Sequence, residues 1–194
     1  MQDKNILNFW KWFIDNKDKL ESDSTDPTIL QQLDKTISNW NLNWEIGPGQ
    51  SKENSLTISP RGNPALLTLT EQIISEAPTL EKWQFYSTKQ PKENWHLLQL
   101  NQGNISVDAS KWKYVLLKYK DGKIEVLVKT DNLLEYDKDT KELIVEIVLI
   151  NLIGENMFIK RVDYFDVVAE FDSTDGITEN KYLPKHLTDK SFFA

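Results

Sequence analysis

Two histidines, His96 and His186, stand ninety residues apart in a chain without cysteine. No His-x-His or His-x-x-x-His pair exists, so the sequence supplies no imidazole pair for zinc. Asp172-Ser173-Thr174-Asp175-Gly176 has the composition of a calcium loop, but with glycine at the sixth position Phe171 falls on the first ligand position. Asp137-Lys138-Asp139-Thr140-Lys141 fails as well, with lysine in fifth place and Glu142 where the glycine belongs. These patterns predict neither a metal nor a cofactor.

Nucleophilic chemistry is equally bare. There is no Gly-x-Ser-x-Gly elbow and no glycine-rich phosphate loop. Paired carboxylates could still act as general acid and base, because burial can raise one of them. Glu45 in a short apolar strand and Glu155 just after Gly154 are the acids in the most structured surroundings. With His96 they define one alternative, a carboxylate-dependent enzyme of unknown substrate. An edge-strand acid, a turn acid and a surface histidine beside Trp95 are the preferred readings. Arg61 lies in a turn before a helix, where backbone donors favour anions, although an exposed turn residue is the simpler account. Lys111, Lys113, Lys118, Lys120 and Lys123 flank Trp112 and Tyr114, which would suit RNA, but Asp121 and Glu125 dilute the patch and a solvated sheet face explains it better.

Composition bounds what these residues can serve. The chain has 194 residues and a formal charge of −7, which disfavours nucleic acid as a primary partner. The absence of cysteine removes disulfides and thiolates together and fits a reducing compartment. No basic, then apolar, leader opens the sequence, so a signal peptide is not expected. The longest apolar run, Leu143 to Ile153, is interrupted by Glu146 and Asn151 and is far below the roughly 18–20 residues of a bilayer span. A cytoplasmic protein with no membrane partner is the expectation. The seven tryptophans are expected to be mostly core or interface anchors.

The elements that must position these residues are read from periodicity. A helix is predicted over 5–20, with Ile6, Leu7, Trp10, Phe13 and Ile14 on its apolar stripe and Trp12 off it. A linker at 21–26 leads to a second helix, capped by Asp26 and opened by Pro27, with Ile29, Leu30, Leu33, Ile37 and Trp40 on one face. Trp44-Glu45-Ile46 reads as a strand stopped by Gly47-Pro48-Gly49, and Leu56–Ser59 as its successor. Asn63 caps a helix from Pro64 to about Ala77, and Trp83–Tyr86 is a further strand. Residues 96–100 are a short strand in a polar stretch. Asp121-Gly122 predicts a two-residue hairpin turn that pairs Leu117 with Val126, Val115 with Val128 and Lys118 with Glu125. A helix over 140–153, capped by Thr140 and stopped by Gly154, precedes a strand over 159–170. Tyr182-Leu183-Pro184 and Phe192-Phe193 are docking points in a polar tail. The Asp-Ser-Thr-Asp sequence occurs at 23–26 and at 172–175, a recurrence of turn formers and not a duplication. Composition does not change along the chain, so a single domain over 1–194 is expected.

Trp44-Glu-Ile-Gly-Pro-Gly, Leu56-Thr-Ile-Ser-Pro-Arg-Gly-Asn, Ile73-Ile-Ser-Glu-Ala-Pro-Thr-Leu with Trp83, and Leu152-Ile-Gly-Glu155 occur in this order. The order resembles that of an uncharacterised bacterial α+β family over about residues 40–168. The resemblance implies a helix ending at Gly154 and brings no catalytic residues with it.

Together these readings predict an α+β fold, with two N-terminal helices, a mainly antiparallel sheet and helices packed on one face. The expected function is a non-enzymatic bacterial protein-binding module of the immunity or regulatory kind, whose acidic surface suits a basic partner such as a nuclease toxin. Trp12, Arg61, Trp95 and Glu155 are the candidate binding residues. Trp10, Trp40 and Trp83 are expected to be buried, and Trp12 and Trp95 more exposed.

Overall fold

The computed structural model describes residues 3–21, 26–93, 95–100 and 103–189. Its architecture is α+β, with six α-helices and mostly antiparallel strand pairing. The Cα positions cluster into two compact units, Met1–Lys89 and Gln90–Ala194, each with its own apolar core. A single domain is the expectation from composition, which carries no break at residue 90 because both halves mix apolar and charged residues alike. Among the described residues no helix is long and apolar enough to cross a membrane.

The first unit opens with α1 (Lys4–Leu20) and α2 (Pro27–Ser38). The Asp3 carboxylate accepts from the Asn5 amide and Asp26 from that of Thr28, so each helix begins on a side-chain cap. The stripe of α1 differs from the expected one. Ile6, Phe9, Trp10, Phe13 and Leu20 are buried, whereas Leu7 and Ile14 are about two-fifths exposed. Phe9 lies outside the expected stripe, yet its ring carries more apolar area than either aliphatic chain, and the helix turns to bury it. Strands β1 (Asn43–Gly47), β2 (Asn54–Ser59) and β3 (Trp83–Tyr86) form a sheet in the order β1-β2-β3. β1 runs antiparallel to β2, while β3 is parallel to it and follows the crossover helix α3 (Pro64–Ser75). Trp10, Phe13, Trp83 and Phe85 pack edge to face, with Phe13–Trp83 centroids 4.9 Å apart and Trp10–Phe85 4.8 Å. The indole of Trp10 donates to the Ile73 carbonyl at 2.8 Å, so its one polar atom is satisfied inside the core.

The second unit holds β4 (Leu97–Leu100) paired antiparallel with β5 (Ile105–Asp108). Its larger sheet is built from β6 (Lys113–Lys118), β7 (Ile124–Lys129), β8 (Val162–Val168) and the two-residue β9 (Thr178–Glu179), in the order β8-β7-β6-β9. The β7–β8 pair is parallel. Helix α4 (Lys138–Ile153) buries nearly every residue of its last two turns, which explains its continuous apolar run. Asp137, not Thr140, caps it: the Thr140 amide donates to Asp137 Oδ1 at 2.8 Å. Gly154, at φ 80°, stops it and opens α5 (Glu155–Arg161). A 3-10 turn (Asn180–Tyr182) and α6 (Leu183–Thr188) end the described chain. Leu183 is fully buried, as expected of a docking point, while Phe192-Phe193 and most of the first Asp-Ser-Thr-Asp segment lie outside the described residues.

The hairpin register differs by one from the expected one. The Tyr119 amide donates to the Lys123 carbonyl at 3.0 Å and the Gly122 amide to the Tyr119 carbonyl at 3.1 Å. The loop therefore has three residues, with Gly122 left-handed at φ 81°. Leu116 opposes Val126, Leu117 opposes Glu125 and Lys118 opposes Ile124. One step exchanges the faces of β6: Tyr114 points into the core and Leu117 outward, while Ile124, Val126 and Val128 stay inside as expected.

Candidate functional site

In the first unit, α1 and the end of α2 enclose a groove of about 540 Å³ lined by Asn5, Asn8, Phe9, Trp12, Thr36, Asn39 and Trp40. Trp12 and Trp40 are both half-buried and pack on the buried Phe9 from different sides. The Phe9–Trp12 rings are near-parallel with centroids 6.3 Å apart, and the Phe9–Trp40 rings meet edge to face at 5.6 Å. Trp12 Nε1 donates to Gln32 Oε1 at 3.0 Å, which fixes its ring plane against α2. The lining combines three aromatic rings with amide and hydroxyl side chains, the mixture that binding patches carry.

Trp40 is here by a correction to the expected pattern. The stripe of α2 ends at Ile37, and the chain leaves the helix through a Schellman pair: Leu42 donates to the Ile37 carbonyl at 3.3 Å and Asn41 to that of Ser38 at 2.8 Å. Asn41 adopts φ 59°, a conformation asparagine tolerates. Trp40 is thus carried off the helical period to the groove edge. An asparagine just past the last apolar turn is the sequence signal that the stripe stops short of Trp40.

Arg61 belongs to the support of this groove. Its NH1 donates to Asn41 Oδ1 at 3.0 Å, and its own backbone, at φ 60°, donates to Ser59 Oγ at 3.1 Å. The turn after β2 is thereby tied to the turn that holds Trp40. Arg61 is a positioning residue here and is not among those lining the groove.

The other candidates are in the second unit. Trp95 and His96 line a cleft of about 530 Å³, together with Ala109, Leu152, Asn180 and Pro184. Trp95 is half-buried and His96 exposed. The Ser110 amide bonds Asp108 and holds its carboxyl below the usual range, with smaller contributions from His96 and Lys111. Glu155 is fully buried at the start of α5 and does not line this cleft, and Glu45 is exposed on β1 in the other unit. Of the residues of the enzymatic alternative in this unit, His96 lines the cleft and Glu155 does not. Trp112 and Tyr114 are buried, so they share no surface with the surrounding lysines. Among the described residues no three metal-ligating side chains come together.

No protein-family model, curated protein or solved structure matches the chain.

Proposed function

We propose that the chain is a non-enzymatic, cytoplasmic protein-binding module of the bacterial immunity or regulatory kind, and that the α1–α2 groove receives the partner. The observation that carries this is the pair Trp12 and Trp40, both half-buried against Phe9 in one groove. Tryptophan is the residue type most often found to dominate interface energetics, because a flat ring covers much area with little conformational freedom to lose. The formal charge of −7 favours a basic partner and fast encounter with it.

The test is a pull-down from native lysate with the wild-type chain and the W12A/W40A variant in parallel, circular dichroism having shown that both are folded. A stoichiometric basic protein captured by the first and lost from the second supports the proposal. No stoichiometric protein, or one retained by the double variant, counts against it.

A further inference from the structure

We propose that the α1–α2 groove takes a proline-rich segment of its partner, extended as a polyproline II helix and flanked by basic residues. The inference rests on the reading of this groove as the docking site and names the chemistry of what enters it.

The Trp40 indole carries the argument. Trp10, Trp12, Trp44, Trp83 and Trp112 each donate through Nε1 to a carbonyl or side-chain oxygen of the chain. Trp40 Nε1 donates to nothing among the described residues, and it is not one of their buried unpaired atoms, so solvent reaches it. An indole N–H can only donate, so its match is an acceptor. A proline-rich chain is made of acceptors: its carbonyls have no internal partner in the polyproline II form, and its ring nitrogens carry no hydrogen. The exposed amides of Asn5, Asn8 and Asn39 add further donors to the lining.

Ring geometry narrows the choice. The Phe9 ring is near-parallel to Trp12, at 25°, and steeply inclined to Trp40, at 79°. Trp12 and Trp40 therefore lie in steeply different planes. Crossed indoles suit the ridged surface of successive pyrrolidine rings, whereas a sugar ring stacks on a level platform. Proline-rich segments dock in aromatic-lined grooves because they arrive already extended and have little entropy to lose. Among the described residues no charged side chain lines the groove, so the segment inside it is neutral. The formal charge of −7 acts outside, on basic flanks.

The experiment titrates the full chain with three probes and follows its indole N–H resonances by two-dimensional NMR. The probes are an oligoproline flanked by arginines, a Gly-Ser peptide of equal length with the same flanks, and the neutral oligosaccharide cellohexaose. The expected result is that the oligoproline moves the Trp12 and Trp40 resonances and leaves those of Trp83 and Trp112 in place. The Gly-Ser peptide should bind at least about tenfold more weakly. Trp40→Phe keeps a ring and removes the donor. Read at Trp12, it should weaken the oligoproline about three- to tenfold, the worth of one neutral hydrogen bond. Equal binding of the two peptides overturns the proposal, because the arginines alone would then account for it. So does an oligosaccharide that moves these resonances where the oligoproline does not, full affinity in Trp40→Phe, or silence from all three probes. Excess oligoproline added to the pull-down separates this inference from the reading beneath it. Loss of the captured basic protein supports both. A protein that stays in the presence of oligoproline yet is lost with W12A/W40A keeps the groove as the docking site and overturns the proline-rich segment.

Discussion

The Tyr114 hydroxyl and His186 Nδ1 meet at 2.8 Å, joining the first residues of β6 to the last helix, α6. Tyr114 is 1% exposed, and burial pushes its phenol well above the ordinary value of 10.0. A group whose pKa is raised by folding contributes stability that is complete below its unfolded value and is lost as the pH rises from there towards the folded one. Stability is therefore expected to fall as the pH climbs through the ordinary tyrosine value. Tyr114→Phe, which removes the titrating group, should flatten that fall while lowering stability at neutral pH. Urea midpoints for the two proteins across the alkaline range give the comparison. Parallel curves would show that Tyr114 is not the linked group.

Gly122→Ala is expected to cost about 1–2 kcal/mol. The position is left-handed, at φ 81°, which alanine adopts only with strain. A Cβ there would also lie 2.9 Å from Arg161 NH1, the atom that donates to the Gly122 carbonyl at 3.1 Å. The substitution should shift the urea midpoint without changing the slope. An unchanged midpoint would mean that the loop relaxes freely.

Trp83→Ala is expected to cost about 3–5 kcal/mol, the range of large-to-small core changes. Its ring is 1% exposed, faces Phe13 and donates through Nε1 to Glu21 at 2.7 Å. Trp12→Ala should cost far less, because its ring is half-buried at a groove edge. Urea titrations of both variants test the contrast, and equal losses would remove the distinction between core and surface tryptophans.

Arg61→Ala is expected to leave the fold intact and loosen the groove. Without the bond from NH1 to Asn41, the turn bearing Trp40 loses its tie to the turn after β2 and is held by backbone hydrogen bonds at the end of α2. The Trp40 indole resonance should broaden or shift while that of Trp10, bonded within the core, stays in place. Movement of neither would detach Arg61 from the groove.

The first unit was largely legible because its signals are local and mutually consistent. Asp26-Pro27 and Asn63-Pro64 mark helix starts by cap chemistry, and both helices begin there. The β6–β7 hairpin was harder. Asp121-Gly122 identifies the turn, but two- and three-residue loops share that dipeptide, and the alternative shifts every pair by one. The apolar pattern of β6 could not arbitrate, since Val115 and Leu117 on one face are as apolar as Tyr114 and Leu116 on the other. For the candidate sites, Trp12 and Trp95 were legible as tryptophans outside apolar stripes. The burial of Asn180 was not, because an asparagine in a turn-rich tail has no periodicity to mark it.

β9 covers only Lys113 and Tyr114, and among the described residues no other strand lies along that side of β6. Along residues 115–118 that side of β6 therefore has no strand partner among the described residues, the kind of edge on which an extended chain can add itself. Lys113 and Lys118, both exposed, bracket its apolar centre and would repel an identical copy laid alongside. Such protection works through charge and weakens as salt shortens its range. Raising the ionic strength is therefore expected to weaken this safeguard against self-pairing before it disturbs the fold.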